Sequence, residues 1–397
     1  MSDIKTLKEK VCQEIDSYAQ RAKELSLKIH EHPEVSYEEK QAAAWLSEEL
    51  AVEGFEVEKG TGGLETAFAG TFTNSSARPA VCLMLEYDAL PGLGHACGHN
   101  VHGVAGLAAA VGLKRILSQA GPEGSIIALG TPGEELFSGK VPIIESGFFE
   151  EVDAALMVHA YDKNVAYPPS LALDAYRFSY KGRPAHAAAS PEKGISALKA
   201  AMLTFNGVDA LREYVTTDVR IHGVIDEGGE APNIVPEKAV SRFYVRAARR
   251  TYLDQVVERV KNCAKGGALM TGAEVEITSF ENPSDDILDN EALCLAYMEN
   301  WKSIVGQPIQ RTLPEPIFST DAGNVGHVVP TIHPLVSISD SPLVAHTHEF
   351  AAASATDRAH QGMINGAKAL AATALDILTS PDLLARARED FNKELAR

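Results

Sequence analysis

The sequence predicts an α/β protein whose mixed sheet is interrupted by an inserted α+β domain. Continuous apolar runs at 80–86, 125–130 and 154–158 each stop at a polar cluster. Strands buried on both faces of a sheet read this way, and their carboxyl ends are where ligands bind. Between about 174 and 286 the pattern becomes strand, helix, strand, strand, helix, strand, the ferredoxin-like order. A chain of 397 residues is long enough for two such domains. The expected division is 1–173 with 287–397, and 174–286 inserted between them.

Taken in order, Leu7, Val11, Ile15, Tyr18, Ala22, Leu25 and Ile29 recur at three- and four-residue steps and predict an amphipathic helix over 2–32. A second helix is expected over 37–53, with strands over 55–58 and 66–72. The apolar run 80–86 leads through Asp88-Ala89-Leu90-Pro91 into Gly94-His95-Ala96-Cys97-Gly98-His99-Asn100. The small-residue stretch 102–120 reads as a helix able to pack closely. Strand 125–130 ends in Thr131-Pro132-Gly133-Glu134-Glu135, and strand 154–158 ends at His159. The inserted region should hold strands 173–181, 220–226, 239–246 and 274–280 and helices 194–214 and 253–266, with a hinge at Pro283-Ser284-Asp285-Asp286. The return segment offers a helix over 290–305, a glycine loop around Asp321, a strand over 331–339, the polar loop His346-Thr347-His348 and a closing helix over 356–378.

The chain is 45% hydrophobic and 23% charged, with a formal net charge of -18. These are proportions of an ordinary globular protein. The acidic balance opposes nucleic-acid binding, which needs a concentrated cationic patch, and is compatible with cationic substrates. Five scattered cysteines show no disulfide framework. The first residues lack a signal-peptide core, and no run approaches the roughly 18 apolar residues of a membrane span. The expectation is a cytoplasmic protein with no membrane or nucleic-acid partner.

Cys97 and His99 lie two residues apart in a glycine-rich turn, and both are donors suited to zinc or another first-row metal. Alone, such a pair is commonly a buried thiol beside a helix-capping histidine, and a nucleophilic Cys97 activated by an imidazole is a competing reading. Glu134 and Glu135 follow a strand; in extended chain they would point in opposite directions, one toward a metal and one toward a reacting water. His159 ends a buried strand, and His346 and His348 share a late loop. Asp321 suits either a capped turn or a cationic substrate group. Such donors at several strand ends of one sheet point to a metal centre that hydrolyses amide bonds.

Asp88-Ala89-Leu90-Pro91, Gly94-His95-Ala96-Cys97-Gly98-His99-Asn100, Glu134-Glu135, Val158-His159 and His346-Thr347 resemble the M20 metallopeptidase and amidohydrolase family. Within it they are similar to the cysteine-containing branch of aminoacylases, aminobenzoyl-glutamate hydrolases and dipeptidases. The resemblance covers nearly the whole chain. It implies a catalytic domain of zinc-exopeptidase type, with the inserted domain as a lid and dimerisation domain. By position it implies Cys97, His99, Glu135, His159 and His346 as ligands of two divalent ions, Zn²⁺ or Mn²⁺ with Co²⁺ a further candidate. His348 is the alternative to His346. Glu134 matches the general base, and Asp88 the acid that orients the site.

In Gly182-Arg183-Pro184-Ala185-His186, His186 matches a histidine that reaches the partner subunit's site. Asn233 matches a substrate-contacting asparagine, and Arg246 is a candidate for a substrate carboxylate. One departure is Glu86, at a place where many relatives carry a ligand histidine. The implied substrate is a small carboxylate-bearing amide: an N-acyl amino acid, a dipeptide with a basic C-terminal residue, or aminobenzoyl-glutamate. The implied assembly is a homodimer. Against this stand a Cys97-dependent hydrolase and a catalytically silent metal-binding protein on the same fold. The Glu134-Glu135 pair speaks against the silent protein, since a structural site needs no spare base.

Overall fold

The computed structural model describes residues 4–119, 121–316 and 318–397. The chain forms two compact units, Met1–Pro169 with Ile287–Arg397, and Ser170–Asp286.

The first unit is built on a six-stranded sheet. Its strands lie in the order Glu56–Lys59, Phe68–Asn74, Gly124–Gly130, Ala80–Leu85, Ala154–Leu156 and Thr331–Ile332. Neighbours among the first three pair antiparallel, and every later neighbouring pair is parallel. Every residue of Ala80–Leu85 is buried, and the alternation of a strand sorts those residues between two cores. Val81, Leu83 and Leu85 pack with the helices Ile4–Glu31, His99–Leu117 and Asp357–Thr379. Cys82 and Met84 pack on the other face with Ile143, Phe149 and Val325. The continuous apolar run in the sequence follows from this double coverage.

The expected strand 331–339 divides in two, and the expected strand 154–158 stops at Leu156 with a further strand opening at His159. Ala154–Leu156 and Thr331–Ile332 pair in the six-stranded sheet, whereas His159–Tyr161 and Leu335–Ser337 pair in a second sheet. Both chains step between sheets together, at Met157-Val158 and His333-Pro334. Pro334 cannot donate to a ladder, but its carbonyl accepts from the His159 N–H at 2.8 Å, so pairing continues through the step. The step sets His159 and His333 side by side.

The small-residue helix starts at His99, three residues earlier than the pattern suggested, with Gly98 in the left-handed region at φ 78°. A Cβ on Gly98 would lie 2.6 Å from the Ala160 Cβ, and one on Gly103 would lie 2.1 Å from the Glu86 carbonyl oxygen. Only glycines let this helix press against the strand end that carries Glu86 and Asp88. Residues 2 and 3 of the expected first helix and residue 120 of this one lie outside the described residues.

The inserted unit holds an antiparallel sheet in the order Glu274–Ser279, Ala172–Lys181, Lys238–Ala247, Arg220–Glu227. Helices Ala197–Leu211 and Arg250–Thr271 cover it, packing Ala200, Ala201, Val256 and Val260 against Phe178, Phe243 and Val245. The stretch expected as a hinge is pinned within this unit. Ser284 exchanges backbone hydrogen bonds of 2.8 and 3.0 Å with Leu173. Among the described residues, no helix is long and apolar enough to cross a membrane.

Candidate metal centre

The side chains singled out by their place at strand ends meet at one edge of the six-stranded sheet. Asp88, just past its central strand, accepts from His99 Nδ1 at 2.8 Å, from Ser36 Oγ at 2.8 Å and from the Glu135 N–H at 3.0 Å. With Nδ1 committed to Asp88, Nε2 is the His99 nitrogen that faces the cluster. That atom is 3.5 Å from Glu135 Oε1, 3.8 Å from Glu86 Oε2 and 4.0 Å from Glu134 Oε2. His159 donates through Nδ1 to its neighbour's carbonyl, Ala160 O, at 2.8 Å, so its Nε2 lone pair faces Cys97 Sγ at 3.5 Å.

His346 Nε2 stands 3.5 Å from Glu135 Oε2. Its backbone adopts φ 63° and its N–H donates to the Ala96 carbonyl at 2.9 Å. A non-glycine residue held in the left-handed region costs on the order of 1–3 kcal/mol and persists where its surroundings fix it. Here Thr347 caps the helix His348–Ala353, which His348 opens as an exposed first residue. Of the two late histidines, the structure brings His346 to the cluster.

Glu134 and Glu135 are not in extended chain as expected; they open the short helix Glu134–Phe137. Adjacent helical side chains diverge by about 100° rather than 180°, and the two carboxylates still separate. Glu135 meets His99, Cys97 and His346, while Glu134 borders His99 on one side and Glu86 with Asp321 on the other.

Cys97, Glu135 and His346 offer one donor atom each within 4.8 Å of one another, and so do His99, Glu134 and Glu135. His99 Nε2 and Glu135 Oε1 are buried without a hydrogen-bond partner among the described residues. Native proteins rarely leave such atoms unpaired, because each costs roughly 1–3 kcal/mol. Two orphaned atoms facing each other, with Glu135 common to both groups of donors, fit divalent cations. The charges agree. Burial and the neighbouring Glu86, Glu135 and Asp321 push Glu134 well above the usual carboxylate range, and burial with Asp88 raises Glu135 to about 7. Carboxylates crowded in this way repel one another and favour a cation among them.

Cys97 is poorly placed as a nucleophile. Burial and Glu135 push its thiol well above the ordinary value, whereas a nucleophilic cysteine needs its thiolate favoured. Asp321 is corrected as well. It is buried and bonded to Lys140, Oδ1 to Nζ at 2.5 Å and Oδ2 to the backbone N–H at 2.9 Å, which leaves it no face for a substrate. His102 is a neighbour of the centre, 4.7 Å from His99 ring to ring. His95 turns away, its Nε2 3.2 Å from the Ile29 carbonyl.

Two members of the cluster escaped the sequence reading. Lys140 is fully buried beside Glu86, and His333 is buried 5.3 Å from the His159 ring. Each had a signal: a lone lysine before the apolar run Val141-Pro142-Ile143-Ile144, and a histidine that ends a strand as His159 does.

Within the inserted unit, His186 and Asn233 sit on adjoining backbone, bridged through Ile234, and the Ala187 N–H donates to the Asn233 carbonyl at 2.9 Å. His186 Nδ1 accepts from the N–H groups of Ala188 and Ala189 at 3.3 and 3.1 Å, so Nε2 carries its proton. Arg246 stacks over Tyr244 at 5.7 Å.

The model of peptidase family M20/M25/M40 matches residues 82–376. The chain is 38% identical to the Xaa-Arg dipeptidase of Mus musculus, over 99% of this chain and 94% of that protein. It is 30% identical to a p-aminobenzoyl-glutamate hydrolase chain of Escherichia coli, over 96% and 93%. Its fold matches that of a dinuclear metal-binding M20 peptidase from Bacillus subtilis with a TM-score of 0.65 at 19% identity, covering 88% of this chain and 98% of that one. With the family pattern running from the central strand to the closing helix, and relatives aligned almost end to end, the chain belongs to peptidase family M20/M25/M40 and is an amide-bond hydrolase.

Proposed function

We propose that this hydrolase is a binuclear metallo-dipeptidase acting on dipeptides with a basic C-terminal residue. The observation that carries the metal reading is the facing pair of orphaned atoms, His99 Nε2 and Glu135 Oε1. Cys97, His99, Glu135, His159 and His346 would hold two ions of the Zn²⁺, Mn²⁺ or Co²⁺ class. When bound, these ions polarise the scissile carbonyl and lower the pKa of a water.

The remaining steps belong to the chain. Glu134 takes the proton of the attacking water and passes it to the leaving amine. Asp88 fixes the His99 ring through Nδ1, so Nε2 is presented without rotation. His186, with its proton on Nε2, is the donor for the developing oxyanion in the partner subunit's site, and Asn233 and Arg246 hold the substrate. In this reading the protein is a cytoplasmic homodimer assembled through the inserted unit.

The substrate class is supported by the long match to the Xaa-Arg dipeptidase and by a net charge of -18, which attracts cations. The test is a substrate panel run with each metal: Xaa-Arg and Xaa-Lys dipeptides, aminobenzoyl-glutamate, and N-acetyl amino acids. The expected kcat/KM for the basic dipeptides is about tenfold or more above the others. Equal or faster turnover of aminobenzoyl-glutamate would overturn the substrate. Activity that survives complete removal of metal would overturn the mechanism.

A further inference from the structure

Beside the candidate metal centre lies a charge that the proposed mechanism does not use. Lys140 is fully buried, a state lysine almost never takes unless paired. Its Nζ donates to Glu86 Oε1 and to Asp321 Oδ1, each at 2.5 Å. The other Glu86 oxygen accepts from His102 Nε2 at 2.8 Å, and His102 Nδ1 accepts from the Ala160 N–H at 3.3 Å. A bonded chain thus runs from Asp321 through Lys140, Glu86 and His102 to the backbone that follows His159.

The oxygens near this ammonium are spaced like metal ligands. One carboxylate oxygen each from Glu86, Glu134 and Asp321 lies within 4.8 Å of the other two. A divalent ion among them would coordinate Glu134 and take away the base. Burial works against a charge on Lys140, but Asp321, Glu86 and Glu134 outweigh it and favour the ammonium.

We propose that Lys140 is a built-in cation that occupies the Glu86–Glu134–Asp321 cluster, limits the centre to two metal ions and leaves Glu134 uncoordinated. Lys140 is then a positioning residue, and the inference rests on the metal-centre reading above. An ammonium suits the place because it is a compact charge with three donors, whereas the planar fork of arginine matches one carboxylate edge.

The test counts metal. The full-length protein, K140M and K140M/D321N are equilibrated with Mn²⁺, dialysed and analysed for Mn²⁺ per chain, and thermal midpoints are taken with and without Mn²⁺. The expected counts are two for the parent, three for K140M and two again for K140M/D321N, in which one carboxylate of the new site is gone. K140M should also be the variant that Mn²⁺ stabilises most. A K140M protein that folds only when Mn²⁺ is present supports the inference. A K140M count equal to the parent's two overturns it and leaves the metal-centre reading standing, whereas a parent that binds no ion overturns both. If K140M does not fold even with Mn²⁺, the E86Q/K140M/D321N variant, which neutralises the lysine together with the two carboxylates bonded to it, decides. Recovery of folded protein supports the built-in cation, and failure overturns it.

Discussion

Buried charge gathers in both units, and the two clusters are built differently. In the inserted unit Arg250 donates to Asp174 at 2.8 Å, to Asp285 at 2.5 Å and to the Ser284 carbonyl at 2.8 Å, and its N–H donates to Asp286 at 2.8 Å. Donors and acceptors close on each other, and the result ties the last residues of the unit to its first strand. In the larger unit, His99 Nε2 and Glu135 Oε1 face each other without hydrogen-bond partners among the described residues, and two glutamates are pushed up in pKa. A satisfied network needs nothing more. An unsatisfied one of this size is a site built to receive a cation.

Four measurements break or sharpen that contrast. The largest effect is expected at the unsatisfied cluster: Glu134→Gln should lower kcat by about 10²–10⁴-fold, the range of general-base catalysis, while metal content stays at the parent level. Near-normal turnover would remove Glu134 as the base. At the satisfied cluster, Arg250→Ala should cost about 3–5 kcal/mol in urea unfolding, as expected when one partner of a buried pair is deleted, with metal content unchanged. A loss of metal instead would mean that the two clusters are not separate in function.

The third measurement concerns protons. With Glu135 at about 7 in the metal-free site, the group is protonated below that pH, and a metal must displace the proton to bind. Metal affinity should therefore weaken as the solution is acidified below neutrality, with proton release visible by calorimetry in buffers of different ionisation enthalpy. Affinity independent of pH over that range would contradict the crowded-carboxylate account. The smallest effect separates the late histidines. His348→Ala should leave activity within about twofold, as for a surface substitution, whereas His346→Ala should lose metal. The reverse result would exchange their roles.

The features legible in the sequence are local ones. Cys97 with His99, the Glu134-Glu135 pair and His159 were legible because each ends a run whose period announces its strand or begins the helix after it. The β-α-β-β-α-β order of the inserted unit was legible for the same reason, since each element declares its own period. Glu134 in a helical turn was not legible, because a two-residue acidic pair after Pro-Gly fits an extended or a helical start equally.

What the sequence by itself determined is therefore the fold class, the donor types of the centre and the family. The tertiary structure alone decided which groups are partners. Lys140 meets Asp321 across 181 positions and Glu86 across 54, so no window of sequence contains the bond that takes Asp321 away from a substrate. His333 comes beside His159 only because two strands step between sheets at the same level. His346 rather than His348 reaches Glu135 because one residue adopts a left-handed backbone. Periodicity is written by near neighbours along the chain, whereas charge pairing is settled by whichever groups folding buries together.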